Sequence, residues 1–133
     1  MDLTIYQKAF DGHLQEALKQ KIGGDPASLY DPVHYILKIG GKRLRPVLTL
    51  LSCDIFSGYY SKALNASLAI EMFHNFTLIH DDIMDHAALR RGQPTVHEKW
   101  DVNTGILSGD ALMILAYQFF EPYEGKIFKG IIS

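Results

Sequence analysis

No stretch of this chain reaches the ~20 apolar residues that a membrane-spanning helix requires. The longest candidate, residues 111–120, is about half that length and contains Gln118. Cysteine is nearly absent. Cys53 alone excludes an internal disulfide and fits a reducing compartment; within the apolar run 47–56 it is expected to be a buried small hydrophobe. Neither sign of charge is in large excess. The net value is −2 over 133 residues, so no global field draws the chain to nucleic acid or to an anionic membrane. The start, MDLTIYQKAF, lacks the basic stretch and apolar core of a secretory signal, and with the lone cysteine this predicts a cytoplasmic protein. There is no repeat, no low-complexity tract and no alternating β pattern of useful length, so essentially no sheet is expected.

What is present is helical periodicity in a chain of single-domain length. It is 47% hydrophobic and 21% charged, as in ordinary globular proteins. Residues 2–21 carry Leu3, Phe10, Leu14, Ala17 and Leu18 at helical spacing. The sequence Gly23-Gly24-Asp25-Pro26 ends that helix. A short helix is predicted over 30–39 with Pro32 in its first turn, followed by a break at Gly40-Gly41. Pro46 can open the next helix, to about Phe56. A long central helix is predicted over 61–85, a basic loop over 86–94, a short helix after Thr95, and a last helix over 102–120. The helices at 61–85 and 102–120 are apolar on most sides, and such helices must be buried on most sides. The chain is expected to belong to a larger protein or to bury that surface in an oligomer. The apolar tail 121–133 points the same way.

The most informative segment is Asp81-Asp82-Ile83-Met84-Asp85, followed by Arg90-Arg91-Gly92. Like charges this close destabilise one another unless a cation sits among them. Carboxylates beside guanidinium groups suit a diphosphate held through Mg²⁺. At ~100° per residue, Asp81 and Asp85 lie ~40° apart and face one way, while Asp82 is ~100° from Asp81. His74 falls ~20° from Asp81 and roughly 10 Å below it. One stripe therefore carries Ile70, His74, Thr77, Leu78, Asp81 and Asp85, a gradient suited to a ligand with an apolar tail and an anionic head. The competing possibilities are an acidic helix end facing solvent, which the helix dipole disfavours, and a core histidine at 74.

A second anion-binding element is Gly40-Gly41-Lys42-Arg43-Leu44-Arg45-Pro46. It places two glycines and three cations at a helix entrance, where free N–H groups and the helix dipole favour an anion. Lys42 supplies a point charge and Arg45 a fork matched to phosphate oxygens.

GGKRLRP, EMFHNFTLIHDDIMD, LRRGQPTVH and LSGDAL, in that order, resemble the trans-isoprenyl diphosphate synthases (polyprenyl synthetases), in particular the short-chain farnesyl and geranylgeranyl diphosphate synthases. Terpene cyclases and squalene synthases share the aspartate motif but not the GGKRLRP and RRGQPTVH pieces. The resemblance implies an all-α antiparallel helical bundle around a central cavity, the N-terminal portion of the isoprenoid synthase fold. It implies a Mg²⁺-dependent prenyltransferase of isoprenoid biosynthesis that joins an allylic diphosphate to isopentenyl diphosphate, working as a homodimer through the 102–120 region. By resemblance, Asp81 and Asp85 ligate Mg²⁺ with Asp82 assisting, and Arg90 binds the allylic diphosphate. Lys42, Arg45, His74 and Arg91 bind isopentenyl diphosphate, with backbone help from Gly41. Phe76, with the small Thr77 beside it, forms the floor that limits chain length, at fifteen to twenty carbons. The helical wheel supports this only in part. Thr77 lies ~40° from Asp81, Phe76 ~140°, and Phe73, the geometric alternative, ~80°.

The family's second aspartate-rich motif has no counterpart; after Asp110 the acids are Glu121 and Glu124. Residues 1–133 are therefore expected to be one truncated synthase domain, inactive alone. The alternatives are a non-catalytic partner subunit of a synthase and a helical acidic metal-binding protein. His80, His86 and His97 have only local structural readings, and Asp110 is expected to cap or orient a loop.

Overall fold

The computed structural model describes residues 2–24 and 26–123. The order is α1 (Thr4–Gln20), α2 (Ala27–Ile39), α3 (Leu44–Ser57), a 3-10 turn (Tyr60–Ala63), α4 (Leu64–Met84), β1 (Leu89–Arg90), β2 (Gln93–Pro94), α5 (Val96–Lys99) and α6 (Val102–Phe120). The all-α expectation holds; among the described residues the only sheet is the antiparallel pair of two-residue strands. Asp25 and the tail beyond residue 123 lie outside the described residues.

Helix starts differ from the sequence expectations for identifiable reasons. α2 begins at Ala27 because the Pro26 carbonyl accepts the N–H groups of Leu29 (3.0 Å) and Tyr30 (3.3 Å). Pro32 therefore sits inside the helix rather than in its first turn, and its missing N–H forgoes one backbone bond near the N-terminus. α3 begins at Leu44, with Pro46 in the first turn, where the absent N–H has no intrahelical partner to lose. The start of the expected central helix, residues 61–63, instead falls in the tighter 3-10 turn Tyr60–Ala63. α4 has no side-chain cap of its own. Its cap comes from a distance: the Tyr123 hydroxyl accepts the Ala66 N–H (2.8 Å) and donates to the Lys62 carbonyl (2.9 Å), pairing helix-start groups that would otherwise lack partners.

α4 is the central element, packed by α1, α3 and α6. Leu68, Ala69 and Met72 are fully buried in a core that also takes Phe10 and Leu14 from α1 and Leu112 and Ala116 from α6. Each large apolar side chain buried this way stabilises the fold by about 1.5–3 kcal/mol. Two glycines set the α4–α6 approach. A Cβ at Gly105 would lie 3.0 Å from Ile83 Cδ1, and one at Gly109 would lie 2.7 Å from the His80 ring. α6 nonetheless leaves Leu107, Ile114 and Tyr117 exposed, as α3 leaves Ile55 and Phe56; these faces carry more apolar surface than the described residues cover. Cys53 is only partly buried, contrary to expectation. Its thiol sits at the end of α3, 3.4 Å from the Tyr59 carbonyl, where the chain turns at Gly58. No described helix is long and apolar enough to cross a membrane.

Candidate diphosphate site

Between α2 and α3 the backbone passes through Gly40 (φ 78°), Gly41 (φ 147°) and Arg43 (φ 52°). The glycines make these conformations accessible, and the absence of a side chain at Gly41 has a second use. A Cβ there would lie 2.6 Å from Arg91 Nη2 and 2.7 Å from its Cζ, so Gly41 lets a guanidinium from a distant hairpin lie against the loop. The result is a cavity of about 240 Å³ whose lining includes Gly41, Lys42, Arg45, His74 and Arg91. Every one of these expected diphosphate-binding residues meets at this pocket.

Arg91 arrives there through the hairpin turn. β1 and β2 pair Arg90 with Gln93, leaving Arg91 (φ 51°) and Gly92 (φ 76°) as the two central residues. Positive φ at both is the type I′ geometry that matches strand twist. The loop back to the helix is tied by Thr95, whose N–H meets the Ala88 carbonyl (3.0 Å) and whose hydroxyl donates to the Ala87 carbonyl (2.8 Å). On β1, Arg90 turns toward α4 and donates Nε and Nη2 to the two Asp82 oxygens, both at 2.8 Å. This bidentate pair engages both oxygens of Asp82, which is buried. Hydrogen bonding to Asp82 is the main cause that pushes the Arg90 pKa up, making it a fixed cation. Two of its donor nitrogens are spent; Nη1 is available to an anion.

Asp81 and Asp85 differ from Asp82. Both are exposed, one turn apart at the end of α4, and among the described residues neither carboxylate is held by a side-chain hydrogen bond or ion pair. One helix end thus supplies one acid committed to an arginine and two that are unengaged.

His74 lies deeper on α4. Arg45 Nη1 is 3.2 Å from its Nε2. A guanidinium only donates, so Nε2 is the acceptor and the imidazole is neutral with its proton on Nδ1. Burial first, then the Arg45 charge, pushes the His74 pKa below the ordinary histidine value, with Arg90 and Arg91 adding and Glu71 opposing. This favours proton loss in the folded state, so the stability it contributes is present above the unfolded histidine range and lost as pH falls through the lowered folded value. His74→Gln keeps an acceptor that does not titrate. Its Tm is expected to fall less than the parent's, by a few degrees at most, on acidifying through the histidine range; equal losses measured by circular dichroism would exclude the Arg45–His74 bond as drawn.

Arg45 and His74 also line a second, apolar cavity of about 480 Å³, walled by Ile70, Phe73 and Thr77 of α4 and by Ala116, Tyr117 and Phe120 of α6. Phe76 is not in this wall. It packs toward α6, with its ring 4.7 Å from that of His80 and Cδ1 3.6 Å from where a Cβ on Gly109 would sit.

The polyprenyl synthetase family model matches residues 26–131. The chain belongs to this family. It is 47% identical over 111 residues to a geranylgeranyl pyrophosphate synthase of Geoglobus acetivorans, covering 84% of this chain and 34% of that protein. It is 45% identical to a geranylgeranyl diphosphate synthase of Sulfolobus acidocaldarius, covering 79% of this chain and 32% of that protein. A solved geranylgeranyl pyrophosphate synthase superposes with a TM-score of 0.88 at 55% identity, over 98% of this chain and 39% of that structure. The chain thus spans about a third of the length of the curated relatives it matches.

Prenyl diphosphate synthases generally depend on a divalent metal. The donors present fit one. Asp81 and Asp85 are hard oxygen ligands that form no ion pair among the described residues, and Mg²⁺ characteristically takes one or two carboxylates, leaving other positions for water and substrate phosphate. Among the described residues no group of three or more acidic, histidine or cysteine side chains is placed to hold a metal.

Two features were not legible as site elements. Arg43, in sequence one of three loop cations, is mostly buried and engaged inward. Asp110 neither caps nor orients a loop. It lies within α6, 3.7 Å from His80 Nε2, while Asp101 caps that helix through the Thr104 N–H (2.7 Å). Both placements depend on which helix faces are packed together, which local spacing does not carry.

Proposed function

We propose that the intact protein is a prenyltransferase that condenses an allylic diphosphate with isopentenyl diphosphate, giving a product of fifteen to twenty carbons. The names of the relatives favour twenty. The observation that carries this reading is the junction at Arg45 and His74, which line both the basic 240 Å³ pocket and the apolar 480 Å³ cavity. A ligand with an anionic head and a hydrocarbon tail needs such a junction.

In this reading Asp81 and Asp85 hold Mg²⁺, which when bound neutralises charge developing on the leaving diphosphate. Arg90, oriented by Asp82, directs Nη1 at the same leaving group, an electrostatic contribution fixed before reaction. The allylic carbon–oxygen bond breaks and diphosphate departs. The double bond of isopentenyl diphosphate attacks the allylic carbon, and loss of a proton restores the alkene. Lys42, Arg45 and Arg91 hold the isopentenyl diphosphate head, with neutral His74 orienting Arg45. The apolar wall keeps water from the cation.

In the intact enzyme, Lys42→Ala is expected to raise the KM for isopentenyl diphosphate roughly 10- to 100-fold, the loss of one charge-assisted contact at about 1.5–3 kcal/mol, with the allylic KM little changed. An unchanged KM in steady-state kinetics would move the head group elsewhere. Assembly as a cytoplasmic homodimer belongs to the same proposal. It is supported by Leu107, Ile114 and Tyr117 exposed on α6, since such a stripe marks a contact surface. Light scattering of the intact protein at micromolar concentration should give twice the chain mass; a monomer there sinks this part.

A further inference from the structure

The basic pocket contains a carboxylate. Glu71 of α4 lines it and is almost fully buried, an unfavourable neighbour for a diphosphate unless its charge is neutralised. Arg43 does this: Nη1 donates to Glu71 Oε2 at 3.2 Å, with the two side chains 10% and 6% exposed. Arg43 Nη2 donates to the Leu37 carbonyl at 2.6 Å, one of the last-turn carbonyls of α2 that lacks an intrahelical partner. The guanidinium also lies 5.5 Å from the Phe10 ring centroid of α1. One side chain therefore ties α1, α2 and α4 to the residue just before α3.

Its backbone shows how firmly it is held. Arg43 adopts the left-handed conformation, φ 52° and ψ 36°. A non-glycine residue there is strained and persists only where its surroundings over-determine it. The neighbours Lys42 and Arg45 are exposed. Between two outward cations the loop thus carries an inward one, whose donors serve the protein.

We infer that the Arg43–Glu71 pair is a positioning element for the isopentenyl diphosphate pocket: Arg43 is not a ligand of the anion but fixes the loop on which Lys42 and Arg45 meet it. This rests on the reading that Lys42 and Arg45 take that diphosphate. It predicts that the geometric fork matters beyond the charge. Arg43→Lys keeps the cation and loses the planar fork. The paired replacement Arg43→Met with Glu71→Leu removes both charges while filling similar volume, an exchange that buried ion pairs often tolerate.

The test is steady-state kinetics with thermal unfolding on the intact synthase, for the parent, Lys42→Ala, Arg43→Lys and the paired variant. Displacement of binding groups by about 1 Å costs up to ~100-fold. The expected result is a KM for isopentenyl diphosphate raised roughly 10- to 100-fold in Arg43→Lys and in the paired variant, with kcat and the allylic KM within about twofold of the parent and the paired variant's Tm close to parental. A paired variant with parental Tm and parental KM overturns the inference, because the pair then only supports the fold. If Arg43→Lys does not fold, the paired variant decides alone. A raised KM in Lys42→Ala beside a parental KM in the paired variant rejects positioning and leaves the diphosphate reading intact. A parental KM in Lys42→Ala rejects both.

Discussion

Asp81→Asn in the intact enzyme is expected to lower kcat on the order of 10²–10³-fold, the scale of removing one preorganised group that stabilises transition-state charge, while leaving Tm at the parental value. The carboxylate is exposed at the end of α4 and among the described residues forms no ion pair or side-chain hydrogen bond, so the substitution removes a hard oxygen ligand without breaking such a contact. Asp82→Asn should behave in the opposite way. Its two oxygens each accept from Arg90 at 2.8 Å. An amide can accept only on its oxygen, and its NH₂ faces a donor. Arg90 is partly exposed, so solvent screens the loss. A destabilisation of about 1–3 kcal/mol is expected, together with a raised KM for the allylic diphosphate as Arg90 loses its orientation. Chemical denaturation and kinetics on the two variants separate these outcomes. Equal activity losses with equal Tm changes would show that both acids play one role, and the distinction drawn between them would be wrong.

Phe73→Ala is expected to lengthen the product by at least one five-carbon unit, whereas Phe76→Ala should have the smaller effect. Phe73 lines the apolar cavity together with Thr77 and is 44% exposed, so truncating it opens the space into which a tail extends and removes little core packing. Phe76 sits behind it, with ring centroids 5.4 Å apart, and faces His80 and Gly109 instead. Truncating Phe76 leaves a void between α4 and α6, with a stability cost of up to about 3–5 kcal/mol for a fully buried phenylalanine and less at this partly buried site. It changes product length only if Phe73 relaxes backward. Product chromatography after incubation with excess isopentenyl diphosphate decides between the two. Lengthening by Phe76→Ala alone would restore the family-based assignment of the floor.

The sequence by itself determined the helical class and the order of the helices, and it pointed to the residues of a candidate diphosphate site. Periodicity of 3.6 places apolar stripes on α1, α4 and α6 whatever the neighbours are. Glycines at 40, 41 and 92 announce backbone turns because few other residues tolerate positive φ. The acid and basic motifs suggest a diphosphate and a hard cation through charge and donor geometry alone. The wheel also ranked Phe73 nearer than Phe76 to the acidic face, and the cavity lining agrees.

Only the tertiary structure decided which of these like residues does what. Asp81, Asp82 and Asp85 are equivalent as a string of acids; a hairpin turn brings Arg90 onto Asp82 and, among the described residues, leaves the other two without a side-chain hydrogen bond or ion pair. Lys42, Arg43 and Arg45 are equivalent as a string of cations; a buried glutamate 28 residues away turns Arg43 inward. Tyr123 caps α4 by accepting the N–H of Ala66, 57 residues earlier in the chain. The physical reason is common to all three cases. Whether a charged or polar group is available to a ligand depends on whether a partner already satisfies it. Those partners come from elements far apart in the chain, joined by packing that spacing along the sequence does not encode.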